Sequence, residues 1–188
     1  MRSLAHLILW RAGLVRIQPW ADPAETACIV RHATGKRRLA EVGVWEGGTT
    51  RRIREVMDPG ATLFAIDPFP RGRLGVSYQQ PIAHGEVGRV RNGKVVWIRE
   101  GGADAVRDSR VSASPFDFIF LDADHTFEGT AAAWDAWRPL VADVIALHDA
   151  LGPEDEGSVR FVREHVLTDA SFTVVDRAGC LLVLRRAQ

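Results

Sequence analysis

From residue 38 onward the chain alternates short segments rich in Val, Ile, Phe and Leu with segments of helical character, and this alternation constrains the fold most. Apolar strands joined by helical crossovers pair in parallel, and a parallel sheet needs helices on both faces. The strand segments are residues 39–44, 62–66, 95–99, 116–121 and 144–147. Residues 49–57 read as a crossover helix that stops at Asp58-Pro59-Gly60, and residues 128–141 carry small and apolar side chains at helical spacing. After the fifth strand the rhythm changes. Residues 158–167 read as a helix, and residues 172–175 and 181–184 flank Asp176-Arg177-Ala178-Gly179, a link short enough for an antiparallel hairpin. The expected fold is α/β, a doubly wound, mostly parallel sheet of seven strands ending in an antiparallel hairpin.

At 188 residues, 46% of them hydrophobic, the chain can bury one full core, so residues 1–188 are expected to form a single domain. Residues 1–35 would be a helical docking segment and 36–188 the core. Residues 4–15 are apolar but interrupted by His6, Arg11 and Gly13, without the hydrophobic centre and cleavage site of a secretory leader. No run is long enough to span a bilayer, so a soluble, cytoplasmic protein is expected, with no membrane partner. Twenty-four basic residues offset 24 acidic ones, which leaves no global field to draw a nucleic acid. Cys28 and Cys180 show no metal-ligand spacing, and no structural zinc site is expected. Residues 68–80 combine Pro and Gly with Arg71, Arg73 and Tyr78 and have no period, which suggests a surface loop.

The chemistry begins where the first strand runs into Glu41-Val42-Gly43-Val44-Trp45-Glu46-Gly47-Gly48-Thr49-Thr50. Open α/β sheets bind ligands at such strand ends. Glycines let the backbone approach a nucleotide-like ligand, and the helix that follows offers free amides to an anion. Twenty residues beyond Gly47 the second strand ends at Asp67, where a carboxylate can accept hydrogen bonds from both hydroxyls of a ribose. The glycine spacing is not Gly-x-Gly-x-x-Gly, and no Walker lysine follows. A plain turn with a solvated aspartate is the structural alternative.

These segments resemble the class I S-adenosylmethionine-dependent methyltransferases. Residues 41–50 look like their first motif, Ala65-Ile66-Asp67-Pro68-Phe69 resembles their ribose-binding strand end, and the final hairpin resembles their antiparallel last strand. The resemblance implies a Rossmann-like fold and S-adenosylmethionine as cofactor. It implies Glu41, Gly43, Trp45, Gly47 and Thr49 around the methionine end, Asp67 on the ribose, and Gly102, Ala103 and Asp104 near the adenine; a simple turn is the alternative for the last three. Within the class, Phe116-Asp117-Phe118-Ile119-Phe120-Leu121-Asp122-Ala123-Asp124-His125 and Ile145-Ala146-Leu147-His148-Asp149 resemble the metal-dependent O-methyltransferases of the catechol and sugar or natural-product branches.

Asp122 at the end of the fourth strand and His148 and Asp149 at the end of the fifth would meet over one crevice. Two carboxylates and an imidazole can hold a divalent cation, Mg²⁺ by its oxygen donors. Such an ion would lower the pKa of a substrate hydroxyl. A metal-free site, with His148 packing and Asp149 capping, is the alternative. His148-Asp149 stands where many relatives place Asp-Asn or Glu-Asp, and Val141-Ala142-Asp143 where they place a Pro-Gly-Gly turn. His125 occupies the position of their lysine or histidine base, next to Asp122 as a second catalytic residue. The only lysines, Lys36 and Lys94, lie outside the motif, and a histidine with a pKa of about 6.5 can take a hydroxyl proton near neutrality.

The expected activity is O-methylation of a small polar acceptor carrying a hydroxyl, a sugar or glycosylated metabolite before a catechol. Residues 68–80 and the segment up to Trp20 would shape the acceptor pocket, completed if need be by a second subunit in a homodimer. An NAD-dependent oxidoreductase and an inactive methyltransferase-like binding subunit are the competing classes.

Overall fold

The computed structural model describes residues 4–72, 75–122, 124–152 and 157–187. Along the chain run α1 (Leu4–Arg11), α2 (Pro23–Ala33), β1 (Arg38–Val42), α3 (Gly48–Val56), β2 (Thr62–Ile66), α4 (Gln79–Gly88) and β3 (Lys94–Ile98). There follow α5 (Ser109–Ser112), β4 (Phe116–Leu121), α6 (Phe127–Trp137), β5 (Val141–Leu147), α7 (Gly157–Phe161), β6 (Phe172–Ala178) and β7 (Leu181–Arg186). The seven strands lie in the order β3-β2-β1-β4-β5-β7-β6. Strands β1 to β5 pair in parallel, and β7 enters antiparallel between β5 and β6. This is the doubly wound α/β sheet with an antiparallel end that the strand pattern implies.

The strands read as continuous apolar runs because alternate side chains enter two different cores. Ala40, Val42, Ile119, Leu121, Ile145 and Leu147 pack with Trp134 and Trp137 of α6 on one face. Leu39, Leu63, Phe118, Phe120, Val144 and Ala146 pack with Cys28 and Ile29 of α2 and Ile53 of α3 on the other. The local sequence starts the helices. Asp22 accepts from the Ala24 and Glu25 amides while Glu25 Oε2 accepts from the Asp22 amide at 2.8 Å, a capping box that opens α2 ahead of Pro23. Thr126 Oγ1 accepts from the Gly129 amide to start α6.

Several element boundaries move. The first strand ends at Val42, because residues 43–47 leave the sheet, with positive φ at Gly43, Trp45 and Gly47. The helix expected over 128–141 stops at Trp137; Pro139 lies in a 3₁₀ turn (Arg138–Leu140), and Val141 already pairs with Phe116. Residues 141–143 are therefore the start of β5 rather than a turn. Beyond α7 a π-helical turn (Val162–Val166) replaces the regular helix expected to 167. In the hairpin, Asp176, Arg177 and Ala178 pair with β7, so the link is Gly179-Cys180 alone. Those residues look turn-like because β6 is an edge strand whose burial alternates along its length. Of residues 68–80, the last two belong to α4, which the aperiodic segment conceals, and Arg73 lies outside the described residues.

The N-terminal segment docks on the strand-end side of the sheet. Trp10 Nε1 donates to Glu86 Oε1 of α4 at 2.5 Å, and His6 Nε2 lies 3.1 Å from Glu46 in the glycine turn. A Cβ on Gly48 would stand 2.3 Å from the Gln18 carbonyl oxygen, so only glycine lets this segment lie against the start of α3. No helix among the described residues is long and apolar enough to cross a membrane.

Candidate functional site

The order β3-β2-β1-β4 brings four parallel strands to one carboxyl edge, and a cleft of about 710 Å³ opens along it. Its walls follow the strands in turn. Gly101 and Gly102 come after β3, Asp67, Pro68 and Pro70 after β2, Gly43 and Trp45 after β1, and Asp122, Asp124 and His125 after β4. At about 4.8 Å per strand the row extends about 14 Å, enough for an elongated nucleoside ligand. Trp20 from the N-terminal segment and Gln79 from α4 complete the lining. The Trp20 and Trp45 rings meet at a centroid distance of 6.1 Å, and both remain exposed, at 71% and 44%.

The glycine turn is held from below. Asp67 Oδ2 accepts from the amides of Val44 and Trp45 at 3.1 and 2.9 Å, and Oδ1 accepts from the Phe69 amide at 2.7 Å. Burial still pushes this carboxyl above its usual range against those three bonds. Asp67 therefore ties the end of β2 to the turn after β1; Oδ2 spends both of its lone pairs there, and Oδ1 keeps one for a ligand. Gly47, at φ +81°, starts α3 from the left-handed region that glycine favours. Glu41 is wholly buried on the α2/α3 side, and no hydrogen bond of good geometry reaches its oxygens among the described residues. Burial pushes its carboxyl well up; Thr50 opposes the shift, and the Asp122 and Asp67 carboxylates add to it.

At the ends of β4 and β5 the acidic and imidazole side chains converge. His125 Nδ1 lies 3.0 Å from Asp149 Oδ2, and its ring is more than half exposed along the cleft. His148 Nδ1 lies 3.3 Å from Asp122 Oδ1 and 3.4 Å from Asp149 Oδ2, with only 6% of the side chain exposed. On its far side, Nε2 lies 3.3 Å from Glu25 Oε2 and 3.5 Å from Cys180 Sγ. Burial alone would depress His148, but Asp122, Asp149 and Glu25 override it and raise its pKa to about 9. The Glu25 carboxyl is held down at about 2: burial opposes this, but hydrogen bonds from Cys180, Asp22 and His148 prevail. Burial, reinforced by the Glu25 and Asp149 carboxylates, pushes the Cys180 thiol far up. Asp149 itself adopts φ +47°, a left-handed backbone that a non-glycine residue holds only under local constraint.

The structure brings most of the expected residues together. Gly43, Trp45, Asp67, Gly102, Asp122 and His125 line the cleft. Glu41 and the buried Thr49 lie behind its wall, while Ala103 leads away toward Asp104, which pairs with Arg107 at 2.6 Å. Asp122 and Asp149 stand together as expected, with His125 as the imidazole on their cleft side and His148 beneath. Trp20 enters the cleft from the segment expected to shape it, whereas Glu25 and Cys180 enter the neighbourhood without a motif to announce them. Glu25 carried one legible signal, the Asp-Pro-x-x capping pattern, and that pointed to a helix start.

A family model described as a methyltransferase domain matches residues 40–150. No curated protein sequence matches the chain. Among solved structures, a protein of Corynebacterium glutamicum superposes with a TM-score of 0.71 at 18% identity, over 98% of this chain and 88% of that one. An O-methyltransferase from Bacillus cereus, solved in complex with SAH, gives 0.70 at 16% identity, over 98% and 90%. The N-methyltransferase NodS from Bradyrhizobium japonicum gives 0.61 at 16% identity, over 87% and 93%. O- and N-methyltransferases thus share this fold, and the fold alone does not name the acceptor.

Proposed function

The chain belongs to the methyltransferase-domain family of class I S-adenosylmethionine-dependent enzymes, and from that premise we propose that it methylates a hydroxyl of a small polar acceptor, with His125 as general base. One observation carries the reading, the His125 Nδ1 to Asp149 Oδ2 pair at 3.0 Å on the edge of the cleft. The cleft fits the cofactor in length, in its glycine-lined floor and in the carboxylate after β2. When bound, S-adenosylmethionine supplies an electrophilic methyl group on a sulfonium. Asp67 holds the turn that the ligand lies against, and the α3 amides face the carboxylate end. Asp149 accepts the Nδ1 proton, which fixes the His125 tautomer and leaves Nε2 to take the acceptor's hydroxyl proton. Trp20 and Trp45 offer aromatic faces of the kind that cover a sugar's C–H surface and exclude water, with Gln79 and Asp124 as polar contacts. A sugar or glycosylated metabolite suits that wall. Membership in the family decides against the oxidoreductase alternative.

The cluster Asp122, His125 and Asp149, whose donor atoms lie within 4.8 Å of one another, favours a second reading. Those three would hold a divalent cation, Mg²⁺ by its two carboxylates, which would polarise the hydroxyl directly. His125→Ala separates the roles. The base reading expects turnover to fall by about 10²- to 10⁴-fold with S-adenosylhomocysteine affinity unchanged, in protein that works after chelation. Full turnover in the variant refutes it, and activity abolished by chelation and restored by Mg²⁺ transfers His125 to the ligand set. Binding without turnover on a panel of hydroxylated acceptors would mark a binding subunit.

A further inference from the structure

We propose that Glu25, His148 and Cys180 form a zinc site beneath the cleft, separate from any cation held at its surface. The three residues come from α2, from the end of β5 and from the hairpin link, and their donor atoms lie within 4.8 Å of one another. Two of the three separations are those that a shared ion imposes, and the third, Cys180 Sγ to Glu25 Oε1 at 3.0 Å, is shorter than the about 3.5 Å that zinc would set. With Zn–S near 2.3 Å, Zn–N near 2.05 Å and Zn–O near 2.0 Å, tetrahedral angles place sulfur and nitrogen about 3.5 Å apart and nitrogen and oxygen about 3.3 Å apart. Cys180 Sγ and His148 Nε2 are 3.5 Å apart, and His148 Nε2 and Glu25 Oε2 are 3.3 Å apart.

The chemistry of the donors agrees. Thiolate, imidazole and carboxylate together suit zinc rather than Mg²⁺. Glu25 spends one lone pair of each oxygen on a backbone amide, Oε2 on Asp22 and Oε1 on Cys180, each at 2.8 Å. The positions left on the carboxylate face His148 and the Cys180 sulfur. Glu25, Asp122 and Asp149 all converge on His148, and no lysine or arginine pairs with any of them among the described residues. Binding displaces two protons, one from Cys180 Sγ and one from Nε2 of the His148 imidazolium, and leaves a thiolate and Nε2 as ligands. The remaining ring proton sits on Nδ1, which lies 3.3 Å from Asp122 Oδ1 as an ion pair, off the line of a good hydrogen bond. A water would fill the fourth position.

Metal content and cobalt spectroscopy test the site without reference to methyl transfer. Full-length protein purified without chelator should carry about one zinc per chain. After chelation, Co²⁺ should restore tetrahedral visible bands and a thiolate-to-cobalt charge-transfer band. Cys180→Ser should abolish the charge-transfer band, Glu25→Gln should weaken Co²⁺ binding at least tenfold, and Cys28→Ser should change neither. Wild-type protein that holds no zinc and gives no tetrahedral cobalt spectrum overturns the proposal, whatever the variants do. A charge-transfer band that survives Cys180→Ser and disappears in Cys28→Ser overturns it too, because it assigns the thiolate to the Cys28, His32 and Asp176 cluster.

Discussion

Replacing Trp137 with Phe tests whether α6 holds the Gly102 loop in place for the cofactor. Trp137 is fully buried, and its Nε1–H donates to the Gly102 carbonyl at 2.8 Å. Phe keeps a ring against Phe116, now 5.7 Å away between centroids, and loses the donor. The lost bond costs about 0.5–1.5 kcal/mol and the smaller ring about 1 kcal/mol more in imperfect packing. Stability should therefore fall by about 2 kcal/mol, a drop of about 4–8 °C in Tm at this chain length. The bond's share falls on a loop that lines the cleft, and the ligand must reorder it on binding. S-adenosylhomocysteine affinity should accordingly weaken about two- to thirteenfold, which is the same 0.5–1.5 kcal/mol. Trp134→Phe is the control, since Trp134 is buried on the same helix and packs on Phe172 at 5.1 Å rather than on that loop. Urea unfolding and titration calorimetry on both variants complete the assay. Equal affinity losses at equal destabilisation, or wild-type affinity in Trp137→Phe, would refute the reasoning.

Gly48→Ala should force the backbone at Gln18 away, costing about 1–3 kcal/mol, and speed tryptic cleavage at the exposed Arg16; unchanged Tm and cleavage would show that the N-terminal segment is not held there. In chelator-treated protein, His148 should make stability depend on pH. Its pKa rises from 6.5 to about 9 on folding, so the stabilisation is complete below pH 6.5 and is lost as the pH climbs through 9. The difference between wild type and His148→Asn in urea unfolding should shrink by up to about 3 kcal/mol over that window. A constant difference would disprove the charge assignment.

The centre of the sheet was legible because β1, β2 and β4 announce themselves as short apolar runs and the glycine turn marks where β1 ends. Helix α4 was not, since it contains Pro81, Gly85 and Gly88, all poor helix formers. Its reason is tertiary: a Cβ on Gly85 would strike the Trp10 ring at 2.3 Å. The ends of β5 and β6 were misjudged where polar or small residues at a strand end look like turn residues. In the site, Asp122 and Asp149 could be placed from strand ends alone, and His125 through the resemblance to the methyltransferase motif. Glu25 and Cys180 could not, because they stand 123 and 32 residues from His148 and no spacing rule reaches that far.

The bond between the Cys180 amide and Glu25 joins residues 155 apart, and it has a consequence for the order in which the protein assembles. Central strands β1, β2 and β4 can pair while later parts of the chain are still being synthesised, but loop closure over such a separation comes late. Asp149, which orients the proposed base, accepts from Cys180 Sγ and so gains its final anchor only when the hairpin docks. A nascent chain would thus own a nucleotide cleft before it owned a working proton acceptor. Catalytic competence would mark the completion of folding.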